Sequence, residues 1–152
     1  MTRLLTLGLV AVCLCAWSGA QGTEKGEHSA QTVRFEPVDV YVDSGTVPLA
    51  AYQFELRASA GRVAIVGLEG GEHPAFKDAP YYDPAALMKD RVVVAAFSTG
   101  QDLPHGRTRI ARLHMQVTGE DKPAYTVKLV VAASADGKEI PATLSIDKGE
   151  RP

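Results

Sequence analysis

Tyr52-Gln53-Phe54-Glu55-Leu56-Arg57-Ala58 alternates without a break. Tyr52, Phe54, Leu56 and Ala58 share one side, and Gln53, Glu55 and Arg57 share the other. A period of two belongs to a strand with one buried face and one wet face. The stretch therefore predicts a half-buried strand with Phe54 at the centre of its core side.

Working outward, the same texture recurs. Upstream, Val38, Val40 and Val42 face one way and Asp39, Tyr41 and Asp43 the other, until Asp43-Ser44-Gly45 breaks the strand. Downstream, Arg62 to Leu68 is apolar on both faces, with Val63 and Ile65 on one and Ala64, Val66 and Leu68 on the other. Val92 to Phe97 is of the same kind. Between these runs lies a long connection, Glu69 to Asp90, containing Gly70, Gly71, Pro74, Pro80 and Pro84. Only Asp83 to Met88 within it reads as helical, with Asp83 as N-cap and Pro84 at the first helical position. Alternation returns after Pro104-His105-Gly106. Ala111, Leu113, Met115 and Val117 form an apolar face opposed by Ile110, Arg112, His114 and Gln116. Tyr125, Val127, Leu129 and Val131 follow, then the turn at Asp136-Gly137. A last strand carries Ile140, Ala142, Leu144 and Ile146, and Pro141 in its outward set marks it as an edge.

Many short strands separated by turns, with one helical stub in a long loop, predict an all-β fold: an antiparallel β-sandwich of jelly-roll or immunoglobulin-like type. Its expected span is residues 33–147. Residues 21–32 read as a flexible leader and 148–152 as a polar tail. Residues 1–20 read as a signal peptide: Arg3, an apolar run from Leu4 to Trp17, then Ser18-Gly19-Ala20. Both cysteines, Cys13 and Cys15, fall inside it. The mature chain is thus expected to be cysteine-free, without disulfides, and exported, either secreted or periplasmic. The competing reading is a lipoprotein signal, against which stand bulky Val12 and Leu14 before the two cysteines. The chain of 152 residues fits one domain beyond the signal. A net charge of −2 argues against nucleic acid as partner, and no apolar run after Trp17 is long enough for a membrane span.

Three stretches resemble the cohesin modules, sandwich domains of the carbohydrate-binding-module superfamily. Val38-Asp39-Val40-Tyr41-Val42 with Leu49-Ala50-Ala51-Tyr52-Gln53-Phe54-Glu55-Leu56 is similar to that family's opening strand pair. Arg91 to Phe97 resembles its middle strand. Gly106 to Val117 resembles the strand in which a glycine-led segment becomes apolar at alternate positions, although Met115 stands where an aromatic residue is common. The resemblance implies a nine-stranded jelly roll that is not an enzyme and that binds a dockerin module through one sheet face. Dockerin-contact residues vary too much to be carried over onto single positions.

The connection Glu69 to Asp90 concentrates the unusual residues. Glu72, His73 and Asp78 are the candidate metal ligands, but their spacing matches no closed site and no calcium loop; a solvated acidic loop has the same composition. Two flanking strands with apolar residues on both faces imply that the loop covers their outer face. Phe76 and Leu87 are the expected inward anchors. Tyr81 and Tyr82 are the candidate partner-binding residues, with Tyr82 the expected outward anchor. Arg107 and Arg109 share a side and are candidates to clamp an acidic partner, the alternative being pairing with local Asp and Glu.

No nucleophile elbow, phosphate loop, dinucleotide fingerprint or His-Glu-x-x-His motif occurs, so neither a catalytic residue nor a cofactor is expected. The sequence reads as an exported, non-catalytic module that binds an extracytoplasmic protein, dockerin-like or other. A carbohydrate-binding module, with a polysaccharide stacked on Tyr41, Tyr81 and Tyr82, is the first alternative. A metal-assisted hydrolase using His73 and neighbouring carboxylates is the second.

Overall fold

A computed structural model describes residues Gln31 to Lys148. They form β1 (Val33–Asp43), β2 (Ala51–Ala60), β3 (Arg62–Gly70), β4 (Tyr81–Tyr82), β5 (Arg91–Phe97), β6 (Arg107–Thr118), β7 (Ala124–Ala133) and β8 (Thr143–Lys148). The signal peptide expected over residues 1–20, the leader up to Ala30 and the tail beyond Lys148 lie outside the described residues. Two antiparallel four-stranded sheets form, in the orders β3-β6-β1-β8 and β4-β5-β2-β7.

The alternation seen in the sequence becomes the core. Val38, Val40 and Val42 of β1, Tyr52, Phe54 and Leu56 of β2, and Leu113, Met115 and Val117 of β6 are all buried in one cluster. Each such side chain contributes about 1.5–3 kcal/mol by leaving water. Tyr52 ties the sheets together, because its hydroxyl donates to the Ile110 carbonyl at 2.9 Å. Burial pushes its phenol pKa well above the ordinary value. The last strand is an edge, as expected, but β8 starts only at Thr143, so Ile140, Pro141 and Ala142 lie outside it and the proline is not what makes the edge.

Three of the four register shifts between strands decide which residues reach the core. A register shift between Ile65 and Gly67 turns Leu68 inward, opposite Leu113, so Val63, Ile65 and Leu68 all reach the core. A second shift, opposite Val40/Tyr41, leaves Ile110 and Ala111 both fully buried. A third, between Gln53 and Phe54 on the β2–β7 ladder, turns Val131 out of the core and onto the surface. A bulge inserts one residue and so exchanges the two faces beyond it.

The long connection is ordered, but it lies elsewhere than expected. It closes the side of the sandwich between β3 and β5 instead of covering an outer face. Met88 N–H donates to the Ile65 carbonyl, Ile65 N–H to Lys89 and Ala58 N–H to Asp90, each at 2.8 Å. Met88 takes a positive φ of 64° to make its bond, a conformation that costs about 1 kcal/mol for a non-glycine residue. Phe76 is buried against Tyr52, with ring centroids 5.1 Å apart in an edge-to-face arrangement. Leu87 packs partly against the core. The expected helical stub is a three-residue 3-10 turn, Pro84–Ala86, capped by the Asp83 carboxylate accepting from Ala85 N–H at 2.9 Å. Gly70 and Gly71 sit at the entrance, where a Cβ would collide with the Lys77 and Arg109 carbonyls.

Candidate functional site

Phe97, Ala95 and Val93 of β5 point away from the core, because Val92, Val94 and Ala96, which alternate with them, point into it. Across β2 the register sets Phe97 opposite Ala51, Ala95 opposite Gln53, and Val93 opposite Glu55. On the other side of β5, Tyr81 of β4 lies opposite Ala95. On the far side of β2, Val131 of β7 lies opposite Gln53 and Lys128 opposite Glu55. The outer face of β4-β5-β2-β7 is therefore divided along its length. One half holds Tyr81, Ala95, Phe97, Ala51 and Val131 around a single polar side chain, Gln53. The other half is charged: Arg91 donates to Glu55 at 2.7 Å, and Arg57 lies 3.8 Å from Asp90. The Arg91 hydrogen bond holds the Glu55 carboxyl below its ordinary pKa.

Two aromatic rings dominate the apolar half. Tyr81 is 69% exposed and Phe97 is 63% exposed. Their centroids are 6.1 Å apart and their planes differ by 9°. Val93, Val130 and Val131 are exposed as well. None of these side chains belongs to the core.

The outer face of the other sheet is ionic. The bulge at Ile110 sends Arg107, Arg109 and Arg112 to the same side, which strict alternation would not do. Arg112 grips Asp39 with two hydrogen bonds, at 2.7 and 2.8 Å. This bond raises the Arg112 pKa. Arg109 lies 3.6 Å from the same carboxylate, and its Nη1 is buried without a hydrogen bond. Arg107 donates to Asp147 at 2.6 Å and sits 3.6 Å over the Tyr41 ring. His114 meets Glu69 at 2.7 Å.

The residues singled out from sequence do not converge. Tyr81 is outward, whereas Tyr82, the expected outward anchor, turns in and packs partly against the core. Their order follows from β5, since Tyr82 lies opposite buried Val94. Arg107 and Arg109 lie on the opposite sheet from Tyr81 and are engaged with Asp147 and Asp39. Glu72 accepts from the Arg109 N–H at 2.9 Å and the Thr108 hydroxyl at 3.3 Å. His73 Nδ1 caps the 3-10 turn Pro74–Phe76 by accepting from Ala75 N–H at 3.2 Å. Its other nitrogen is 3.8 Å from Asp102 alone, and Asp78 is exposed. The convergence of His73 with two carboxylates that a metal hydrolase needs is not formed. No group of three or more His, Cys, Asp or Glu able to hold a metal occurs among the described residues. A groove of about 520 Å³ beside the charged half mixes Asp83 and Asp90 with Lys89 and Arg91.

Comparison of the chain with protein-family models, with curated proteins and with solved structures gives no match. No helix among the described residues is long and apolar enough to cross a membrane.

Phe97, Val93 and Val131 are the large apolar members of this face that the sequence reading does not single out. The signal for the first two was there: Val92 to Phe97 is apolar at both parities, so one set must face outward. Val131 carried no such signal, because only the bulge removes it from the Tyr125-Val127-Leu129 series.

Proposed function

We propose that this chain is an exported, non-catalytic binding module whose β4-β5-β2-β7 outer face docks another extracytoplasmic protein. The observation that carries the reading is the Tyr81–Phe97 pair. Two large rings stand in water with no part in the core, near exposed valines and next to the charged half of the same face. An apolar centre with a polar rim is the anatomy of a protein interface, and tyrosine is enriched among the residues that dominate binding energy. The resemblance to cohesins supports the same mode of action, a sheet face offered to a dockerin-like partner.

Carbohydrate binding is the second reading, favoured by the near-parallel planes of Tyr81 and Phe97. Against it, Tyr41 lies beneath Arg107 on the other sheet and Tyr82 is half-buried, so the three tyrosines make no platform. The neighbours of the pair are mostly aliphatic and offer few partners for sugar hydroxyls. The test is capture from the native secretome by the wild type and by a Tyr81→Ala/Phe97→Ala variant, with and without calcium, beside affinity electrophoresis in soluble polysaccharides. A protein retained by the wild type and lost with the variant supports docking. Retardation by a glycan instead, lost in the same variant, supports the second reading. Equal capture by both chains refutes this face.

A further inference from the structure

The two flanks of the sandwich are unlike. The β3–β5 flank is closed by the connection, whereas the β7–β8 flank is joined only at its end, where Ile140 N–H donates to the Ala132 carbonyl at 2.9 Å. Below that bond β7 is the last strand of its sheet and β8 the last of the other. The strand register decides which main-chain groups are free. Ala58 N–H donates to Asp90, and Ser98 N–H to Ala50, both at 2.8 Å. Even-numbered residues of β2 therefore bond β5, and Glu55 and Arg57 bond β7 through their partners Lys128 and Thr126. Tyr125, Val127 and Leu129 then turn their N–H and C=O groups to the open edge, where no backbone bond reaches them among the described residues. Their side chains are only half-buried, as are Leu144 and Ile146 across the gap. The Tyr125 hydroxyl is buried without a partner.

We propose that the β7 edge pairs antiparallel with the β7 edge of a second copy, across a two-fold axis at Val127. That register sets Val127 against Val127 of the other copy and Tyr125 against Leu129, which are the residues whose main-chain groups are free. It sets Lys128, the sole charge on β7, against Thr126 and not against another lysine. The edge is thus self-complementary in hydrogen bonds and in charge, as an isologous interface must be. The neighbouring segment of this chain, residues 21–30, fits worse, because it contains no alternation of apolar residues. Pairing would join two sheets into one of eight strands and bring two Tyr81–Phe97 faces side by side. It holds whether or not that face binds a partner.

Sedimentation velocity over a range of concentrations, under reductant so that Cys13 and Cys15 cannot link copies, reads the association directly. The wild type should pass from monomer to dimer as concentration rises. Thr126→Lys brings a like charge against Lys128 of the other copy at both symmetric positions, and should weaken the dimer about tenfold. Adding Lys128→Glu turns both contacts into opposite charges and should restore it. Both positions are exposed, and the like-charge contacts the variants make within their own sheet, Thr126→Lys with Arg57 and Lys128→Glu with Glu55, are solvent-screened and should lower the melting temperature by only a few degrees, so a cooperative melt at each variant separates lost pairing from lost folding. A chain that stays monomeric at every concentration overturns the proposal. So does a dimer indifferent to Thr126→Lys, or one that the second substitution fails to restore.

Discussion

On the outer face of β3-β6-β1-β8, charges meet charges. Arg112 and Arg109 converge on Asp39, Arg107 reaches Asp147, and His114 reaches Glu69. On the outer face of β4-β5-β2-β7, charges are confined to one half and the other half is apolar and wet. Both faces are made of alternating strands over one shared core, so the core does not account for the difference. The ionic face pairs most of its charges within the fold, although Arg109 Nη1 lacks a hydrogen bond and Phe35 stands exposed toward the start of β1. The apolar half of the other face has nothing within the fold to satisfy it. A side chain that stabilises the domain and one that is free to bind are thereby separated onto different sheets.

Substitutions on the two faces should therefore divide by effect, on a scale set by the core beneath them. Phe54 is fully buried at the centre of β2, and Phe54→Ala should cost about 3–5 kcal/mol. Its neighbour Glu55 faces water, and Glu55→Ala should cost under about 0.5 kcal/mol. Chemical denaturation of the two variants measures this; equal effects would mean that the faces of β2 are exchanged. The next largest effect belongs to the ionic face. Asp39 is almost wholly buried and answers two arginines. Asp39→Ala strands both, and should cost about 3 kcal/mol. A loss under about 1 kcal/mol would show that water and rearrangement satisfy Arg109 and Arg112, and would remove the structural role assigned to that face.

How far these faces can be read from sequence depends on where alternation is kept. Along β2 it is kept, and Tyr52, Phe54 and Leu56 fall where the letters put them. The run of short strands is legible for the same reason; Phe76 is inward as expected, but the connection carries it to the flank of the sandwich and not to an outer face. At the bulges alternation fails. Arg107, Thr108, Arg109, Ile110, Ala111 and Arg112 admit no single period that puts all three arginines outside and both Ile110 and Ala111 inside. The inserted residue is stabilised by contacts with β1, which local sequence does not encode. The connection departs from its expected place for a related reason. Apolar residues at both parities of β3 and β5 ask for cover, and the letters do not say that a bulge supplies it for β3 while β5 keeps Val93, Ala95 and Phe97 uncovered.

A smaller effect tests the link between the sheets. Tyr52 and Ile110 bridge them by one hydrogen bond. Tyr52→Phe leaves the Ile110 carbonyl without its donor, and should cost about 1 kcal/mol at neutral pH. The same residue gives a pH signature. A free phenol ionises near 10.0, and burial raises Tyr52 above that. Burial and the nearby Glu36 carboxylate lift Tyr125 to about 12. A raised folded pKa contributes stability that is complete below the unfolded value and is lost as pH climbs through the folded one. Stability should therefore fall between about pH 10 and 12. Tyr52→Phe should make the fall shallower, and Tyr125→Phe should do so without the loss at neutral pH, since that hydroxyl has no partner to abandon. A wild type whose melting temperature is flat across this window would contradict the burial of both phenols.

The smallest expected effect is the one that most sharpens the contrast between the faces. Tyr81 and Phe97 touch each other and lie outside the core. Replacing both with Ser removes an exposed ring pair worth about 0.5–1.5 kcal/mol at most. It also removes apolar surface from water in the folded state as well as the unfolded one, so the two changes largely cancel. The melting temperature of Tyr81→Ser/Phe97→Ser should stay within a few degrees of wild type, and its solubility should rise because the largest exposed rings of the face are gone. Rings that cost the domain solubility and return it no stability would fit the binding role proposed for this face. If the double variant instead melts as early as Asp39→Ala, the rings are structural, the two faces are alike in purpose, and the binding role given to this one falls.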